Sequence, residues 1–233
     1  MGSGMGWLSA VISLGYGARG LLCKAGLAFV VSTGAVHADT VTIAALGDSL
    51  TAGYGLPNGD GFVPQMQAWL DAQGADVRLV NAGVSGDTTA GGLSRTDWTL
   101  TPDVDAMIVA LGGNDYLRGI DPVVSRANLD GILAKAAEAG VDALLVGITA
   151  GANYGADYQT AFNGMYVDLA GSYDLPLYPT FFAGILAEAE SQDEVANYMQ
   201  PDGIHPNQDG VALIVAAMGP AVLALIEDAP QGE

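Results

Sequence analysis

One cysteine and two histidines are all that 233 residues contain of the side chains most used for thiolate chemistry and transition-metal binding. The cysteine, Cys23, and one histidine, His37, fall in an N-terminal segment with the features of a leader. Without that segment the chain has no cysteine and a single imidazole, His205. No disulfide, cysteine nucleophile or thiolate metal site is then open to it. The shortage of histidine also argues against a metal-dependent phosphoesterase. No metal and no cofactor are expected. Positive charge is scarce as well: 7 Lys and Arg stand against 26 Asp and Glu, for a formal charge of −19. Such a surface repels phosphate backbones, which excludes nucleic acid as a partner, and gives no help with polyanionic substrates. Its simplest reading is an adaptation for solubility.

Disorder is excluded by what is there. Half of the residues are apolar, and the length suits one α/β domain with a real core. In the first 38 residues, Arg19 and Lys24 form a basic region and Ala25 to Val36 is an uncharged, mostly apolar run, shorter than a membrane span. Val36-His37-Ala38 fits a small-residue cleavage site, with Asp39 as the new N-terminus. A cleaved signal peptide over 1–38 is therefore expected, followed by one domain over 39–233, periplasmic or secreted, with no stable membrane span after processing. An uncleaved anchor is the alternative. Leu22 stands before Cys23 where a lipobox needs a small residue.

Beyond that point strands and helices alternate. Apolar, β-rich runs at Thr40 to Leu46, Val77 to Val80, Ala106 to Leu111, Ala143 to Ile148 and Leu175 to Tyr178 predict five strands. Helical spacing predicts helices from Phe62 to about Gly74, a short one through Leu93, then Pro122 to Ala139, Ala156 to Ser172, a weak one over Ile185 to Asn197, and Asn207 to Ile226 with a kink at Pro220. Alternation of this kind predicts a parallel sheet with helices on both faces, a three-layer α/β/α sandwich. The strands read as near-continuous apolar runs, as buried parallel strands do. In such sheets ligands bind beyond the carboxyl ends of the strands.

Polar residues follow the strands at those ends. Ser49 comes after the first strand at a Gly-Asp-Ser turn, placed either as a nucleophile or as an ordinary helix N-cap. Asp48 reads as a cap or turn-former with no catalytic role. Gly86 sits in a loop where a backbone N–H can approach a ligand closely, or is a plain turn glycine. Asn114 offers a side-chain amide after the third strand, or is a residue tolerating an unusual backbone angle. Asp202 precedes His205 by three residues, close enough to orient an imidazole. Two backbone N–H groups and one amide suffice for an oxyanion hole.

Taken in order, Gly47-Asp48-Ser49-Leu50, Ser85-Gly86-Asp87-Thr88, Gly112-Gly113-Asn114-Asp115 and Asp202-Gly203-Ile204-His205-Pro206 resemble the blocks of the GDSL or SGNH hydrolases. Within that family the chain is similar to secreted bacterial arylesterases and the thioesterase I and lysophospholipase branch. The resemblance implies a flavodoxin-like SGNH hydrolase fold with a five-stranded parallel sheet. It implies Ser49 as nucleophile, His205 as base, Asp202 as its orienter, and Ser49, Gly86 and Asn114 as oxyanion donors. It further implies that Tyr116 and Leu117, with Asn153 and Tyr154 of a second loop, border the substrate, and that Arg118 is a rim residue. That second loop departs from the branch: Ala150-Gly151-Ala152 leads into it where a proline or two is usual, which should loosen it. The expected activity is hydrolysis of small-molecule or lipid carboxylic esters, and plausibly of thioesters, through an acyl-enzyme. The alternatives are a carbohydrate O-acetylesterase and a non-catalytic lipid- or glycan-binding module on the same fold.

Overall fold

The computed structural model describes residues 40–228. The leader expected over 1–38 lies outside the described residues. Five strands form one parallel sheet in the order β2-β1-β3-β4-β5: β1 Val41–Gly47, β2 Val77–Gly83, β3 Ala106–Ala110, β4 Asp142–Val146 and β5 Leu177–Tyr178. This is the flavodoxin-like order, and its switch point lies between β1 and β3. Every residue of β1 and of β3 is buried. A strand covered on both faces can be apolar throughout, and these two are the runs Val-Thr-Ile-Ala-Ala-Leu-Gly and Ala-Met-Ile-Val-Ala.

Among the described residues six α-helices lie between strands and three follow β5: α1 Ser49–Ala52, α2 Phe62–Ala72, α3 Thr89–Thr99, α4 Gly113–Leu117, α5 Pro122–Glu138 and α6 Ala156–Tyr173, then α7 Ala183–Glu188, α8 Gln192–Asn197 and α9 Gln208–Asp228. The packing of α2 and α7 on α9 makes one outer layer, and that of α3 and α6 on α5 makes the other. The three layers and five strands expected are thus present. The largest core side chains, Phe62, Met66, Leu70, Ile108, Leu129, Ile132, Phe162 and Phe181, come from the sheet and from both layers.

Several boundaries differ from those expected, each for a local reason. Strand β2 continues through Asn81-Ala82-Gly83, because β1 beside it supplies ladder partners up to Gly47 opposite Gly83. Helix α3 runs on past Leu93 to Thr99, since the buried threonine Thr96 satisfies its hydroxyl on the Gly92 carbonyl. The weak helix over Ile185 to Asn197 is two, α7 and α8, broken at Ser191, which caps α8 by accepting from the Glu194 N–H. Strand β5 shrinks to two residues at the sheet edge. Pro220 lies inside α9 without ending it, on the exposed side. The apolar stripe Val211, Ile214, Val215, Met218, Val222 and Leu225 is spaced at helical intervals and buried. By length and composition Gln208–Glu227 could cross a membrane, but here that stripe belongs to the core.

Candidate active site

The carboxyl ends of β1, β2 and β3 bring three loops together at the switch point. After β1, Asp48 caps α1: its Oδ1 accepts the Leu50 N–H at 3.0 Å. Ser49 is therefore the first helical residue rather than the cap, and the N-cap alternative for it does not hold. The side chain of Ser49 is left to face the cavity. Its Oγ lies 2.8 Å from His205 Nε2. On the other side of the ring, Nδ1 lies 2.6 Å from Asp202 Oδ2. These partners assign the tautomer: Nδ1–H donates to the carboxylate and Nε2 accepts from the serine hydroxyl.

Asp202 is held by its own turn. Its Oδ1 accepts the backbone N–H groups of Ile204 and His205 at 2.9 and 3.0 Å. Hydrogen bonding to His205, then to these two N–H groups, holds its carboxyl well below the usual range, at about 2. The turn is tied down from outside by Gln200, whose N–H donates to the His205 carbonyl at 2.7 Å and whose Nε2 donates to the carbonyls of Tyr54 and Pro206. The Tyr54 ring lies against the imidazole with centroids 4.7 Å apart.

Gly86 has φ +86°, a backbone region open to glycine at little cost, as its loop position suggested. Among the described residues neither its N–H nor that of Ser49 donates to a protein acceptor. Asn114 lies within α4, a helix not anticipated from the sequence, and its φ is not positive. The alternative that Asn114 tolerates an unusual backbone angle is thereby removed; Gly112, with φ +121°, makes that turn. The Asn114 amide donates to the Asp87 carbonyl at 2.9 Å and approaches Asp48 Oδ2 at 3.4 Å. Helix α4 is itself locked by Asp115, fully buried, which accepts the Thr89 N–H and hydroxyl and the Ser125 hydroxyl.

Asp48 is more than a cap. It is 2 % exposed, and burial pushes its carboxyl up to about 6 against the lowering effect of the Leu50 N–H. A group that close to neutrality beside Asn114 was not legible, because nothing in Gly-Asp-Ser announces how dry the position is.

A cavity of about 710 Å³ opens over Ser49, Gly86, Asn114 and His205. Tyr116 and Leu117 line it as expected, but Asn153 and Tyr154 do not. Tyr154 stands behind the wall instead, with its ring edge-on to Tyr116 and its hydroxyl donating to the Leu117 carbonyl at 3.3 Å. The loop leading into it is braced rather than slack: Asn163 and Gln159 hydrogen-bond both backbone groups of Ala150. The apolar wall that the sequence did not reveal comes from Phe182, Ile185 and Leu186 of the α7 segment and from Val195 and Met199 around α8. Arg118 is exposed on the rim, where it donates to the Gly86 carbonyl at 2.9 Å.

A serine, an imidazole and a carboxylate in hydrogen-bonded series, next to free N–H groups on a largely apolar cavity, can perform acyl transfer. Comparison with known proteins agrees. The GDSL-like Lipase/Acylhydrolase family matches residues 45–213. Esterase TesA of Pseudomonas aeruginosa is 40% identical over 189 residues, 81% of this chain and 90% of that protein. Thioesterase 1/protease 1/lysophospholipase L1 of Escherichia coli is 36% identical over 193 residues, 82% of this chain and 87% of that protein. Among solved structures, AlinE4, an SGNH-hydrolase family esterase, superimposes with a TM-score of 0.64 at 42% identity, covering 79% of this chain and 96% of its own. The chain belongs to the GDSL-like lipase/acylhydrolase family. It is a carboxylic ester hydrolase with the SGNH three-layer fold.

Proposed function

We propose that Ser49, His205 and Asp202 are the catalytic triad of this hydrolase and that Ser49, Gly86 and Asn114 form its oxyanion hole. One observation carries the reading: the unbroken series Ser49 Oγ, His205 Nε2, His205 Nδ1, Asp202 Oδ2, with 2.8 and 2.6 Å at its two links. Ser49 Oγ attacks the ester carbonyl while His205 takes its proton. The carbonyl oxygen becomes negative next to the N–H groups of Ser49 and Gly86 and the Asn114 amide, donors fixed before the reaction begins. His205 returns the proton to the leaving alcohol, and the acyl group remains on Ser49. Water, deprotonated by His205, then releases the acid and restores the serine. Asp202 keeps the ring in the productive tautomer and stabilises the imidazolium formed at each step.

The substrate is a small-molecule or lipid ester. The apolar wall of Phe182, Ile185, Leu186, Val195 and Met199 suits an aliphatic or aryl group and offers sugars few polar partners. Thioesters use the same oxyanion chemistry, and the name of the Escherichia coli relative favours them as a second substrate class. Tyr116 and Leu117 border the substrate, with Tyr154 bracing them from behind. The enzyme is exported to the periplasm or beyond, and the leader is cleaved after Ala38. Ser49→Ala tests the central claim: hydrolysis of p-nitrophenyl esters and labelling by a fluorophosphonate probe should both vanish. Labelling at another serine would refute it. Intact mass of the exported protein should match a chain starting at Asp39; recovery of cytosolic, full-length chain alone would refute the export reading.

A further inference from the structure

We infer that Arg95 is the positioning residue of the oxyanion hole, a three-way tie that fixes the Gly86 loop and Asn114 against the strand that carries Ser49. The inference rests on the triad and oxyanion assignment above and extends it to a residue outside the cavity wall.

Arg95 lies in α3 and its guanidinium reaches back under the loop that precedes that helix. Nε donates to Asp87 Oδ2 at 2.6 Å, Nη1 to the Ala82 carbonyl at 2.6 Å and Nη2 to the Gly47 carbonyl at 2.8 Å. The three acceptors belong to the three parts that must stay in register. Gly47 ends β1, two residues before Ser49. Ala82 lies near the end of β2. Asp87 directly follows Gly86, and its carbonyl holds the Asn114 amide at 2.9 Å. Through Asp87 the guanidinium is therefore linked to both candidate oxyanion donors that do not belong to Ser49, without touching either of them or the substrate.

The geometry demands arginine. Three acceptors in different directions match a planar fork with fixed donors, and a lysine ammonium on a flexible stem can occupy only part of it. The site is sheltered as well: the Arg95 and Asp87 side chains are 21% and 19% exposed, so their pairing is less screened by water than that of a surface pair. Without the tie, the loop carrying Gly86 keeps the Asp87 N–H bond to the Val84 carbonyl and the Val84 N–H bond to the Gly47 carbonyl near its base, the exposed Arg118 on the Gly86 carbonyl, and the Asn114 amide on the Asp87 carbonyl, none of which ties the Asp87 side chain to the ends of β1 and β2. Catalysis is sensitive to such slack, because a misplacement of about 1 Å costs about a hundredfold in rate.

The experiment compares Arg95→Lys, Arg95→Ala, Asn114→Ala and the double variant Arg95→Lys/Asn114→Ala with wild type and Ser49→Ala. Each is assayed on p-nitrophenyl butyrate well below its own melting temperature. Arg78→Lys, at the amino end of β2 away from the site and paired with Asp103, is the control for loss of an arginine. Arg95→Lys should lower kcat by about 10- to 100-fold while KM moves less than about threefold, since donors aimed at the transition state are displaced but the apolar wall is intact. Fluorophosphonate labelling should slow in parallel. Because Arg95 acts through Asn114 and Gly86, the double variant should lose less than the product of the two single losses. An Arg95→Lys enzyme within about twofold of wild-type kcat overturns the inference. So does a kcat loss that multiplies fully with Asn114→Ala, or one that follows the unfolded fraction by circular dichroism. If Arg95→Ala does not fold, Arg95→Lys decides alone. Activity retained by Ser49→Ala would remove the triad reading and this inference together; an inactive Ser49→Ala beside an unimpaired Arg95→Lys removes only Arg95.

Discussion

Gly112→Ala should damage this protein twice over, by backbone strain and by a clash in the core. Gly112 turns the chain from β3 into α4 with φ +121° and ψ −16°. A side chain at that backbone angle costs about 1–3 kcal/mol in strain. The methyl carbon would also stand 2.2 Å from the Tyr166 hydroxyl oxygen and 3.4 Å from Phe162 Cζ. Neither neighbour is free to leave: Phe162 and Tyr166 are buried, and the tyrosine hydroxyl donates to the Leu111 carbonyl at 2.9 Å. Overpacking of such a core costs about 1–3 kcal/mol more. The total, about 2–6 kcal/mol, corresponds in a domain of this size to a fall in Tm of roughly 5–20 °C. The two causes separate in a double-mutant cycle. Tyr166→Phe alone costs about 1 kcal/mol for its lost hydrogen bond, yet in the Gly112→Ala background it removes the atom the methyl meets. The pair should therefore be coupled favourably by about 1–3 kcal/mol in urea unfolding followed by circular dichroism. At a temperature where Gly112→Ala is folded its kcat should also fall, because α4 carries Asn114. A Gly112→Ala protein as stable as wild type, or a cycle additive within about 0.5 kcal/mol, would refute the reasoning.

Burial raises Asp48 to about 6 from an unfolded value of 3.8. A carboxyl raised in the fold binds its proton more tightly there, so it subtracts stability as pH climbs from about 4 through 6. In unfolding measurements Asp48→Asn should thus gain roughly 2–3 kcal/mol relative to wild type between pH 4 and pH 8; a constant difference would disprove the assignment of cause. Asn114→Ala should lower kcat by about 10²–10³ with little change in KM, and Asn114→Gly should be no better. A Gly variant with near wild-type kcat removes the amide from the mechanism. Leu186→Trp, on the α7 wall of the cavity, should shift the p-nitrophenyl ester preference toward shorter chains without slowing fluorophosphonate labelling by more than about twofold. An unchanged preference would place the acyl chain elsewhere.

Much of this was written locally. Apolar runs bounded by glycine and asparagine marked the strands, because a strand buried on both faces needs no alternation. The order of the polar blocks then put Ser49, Gly86 and Asn114 after successive strands, and in a parallel sheet all such loops meet at one edge. Asp202 and His205 were legible as a pair because three residues of one turn determine their approach. Tyr116 and Leu117 were expected beside the substrate from the family resemblance, and both line the cavity from α4.

What the sequence could not state depends on distance in the chain. The Arg95 fork gathers acceptors from positions 47, 82 and 87, and no spacing rule links a helical arginine to carbonyls at two strand ends. The dryness of Asp48 arises from layers packed around it, not from its neighbours in sequence. The family resemblance put Asn153 and Tyr154 at the pocket, yet tertiary packing set Tyr154 behind Tyr116 and gave the apolar wall to α7 and α8. Local pattern determined the strands, the turn chemistry and which groups are candidates for the reaction. Only the folded sheet decided which of them touch, how much water reaches them, and what surface the substrate meets, because those quantities depend on contacts between segments that the chain itself keeps far apart.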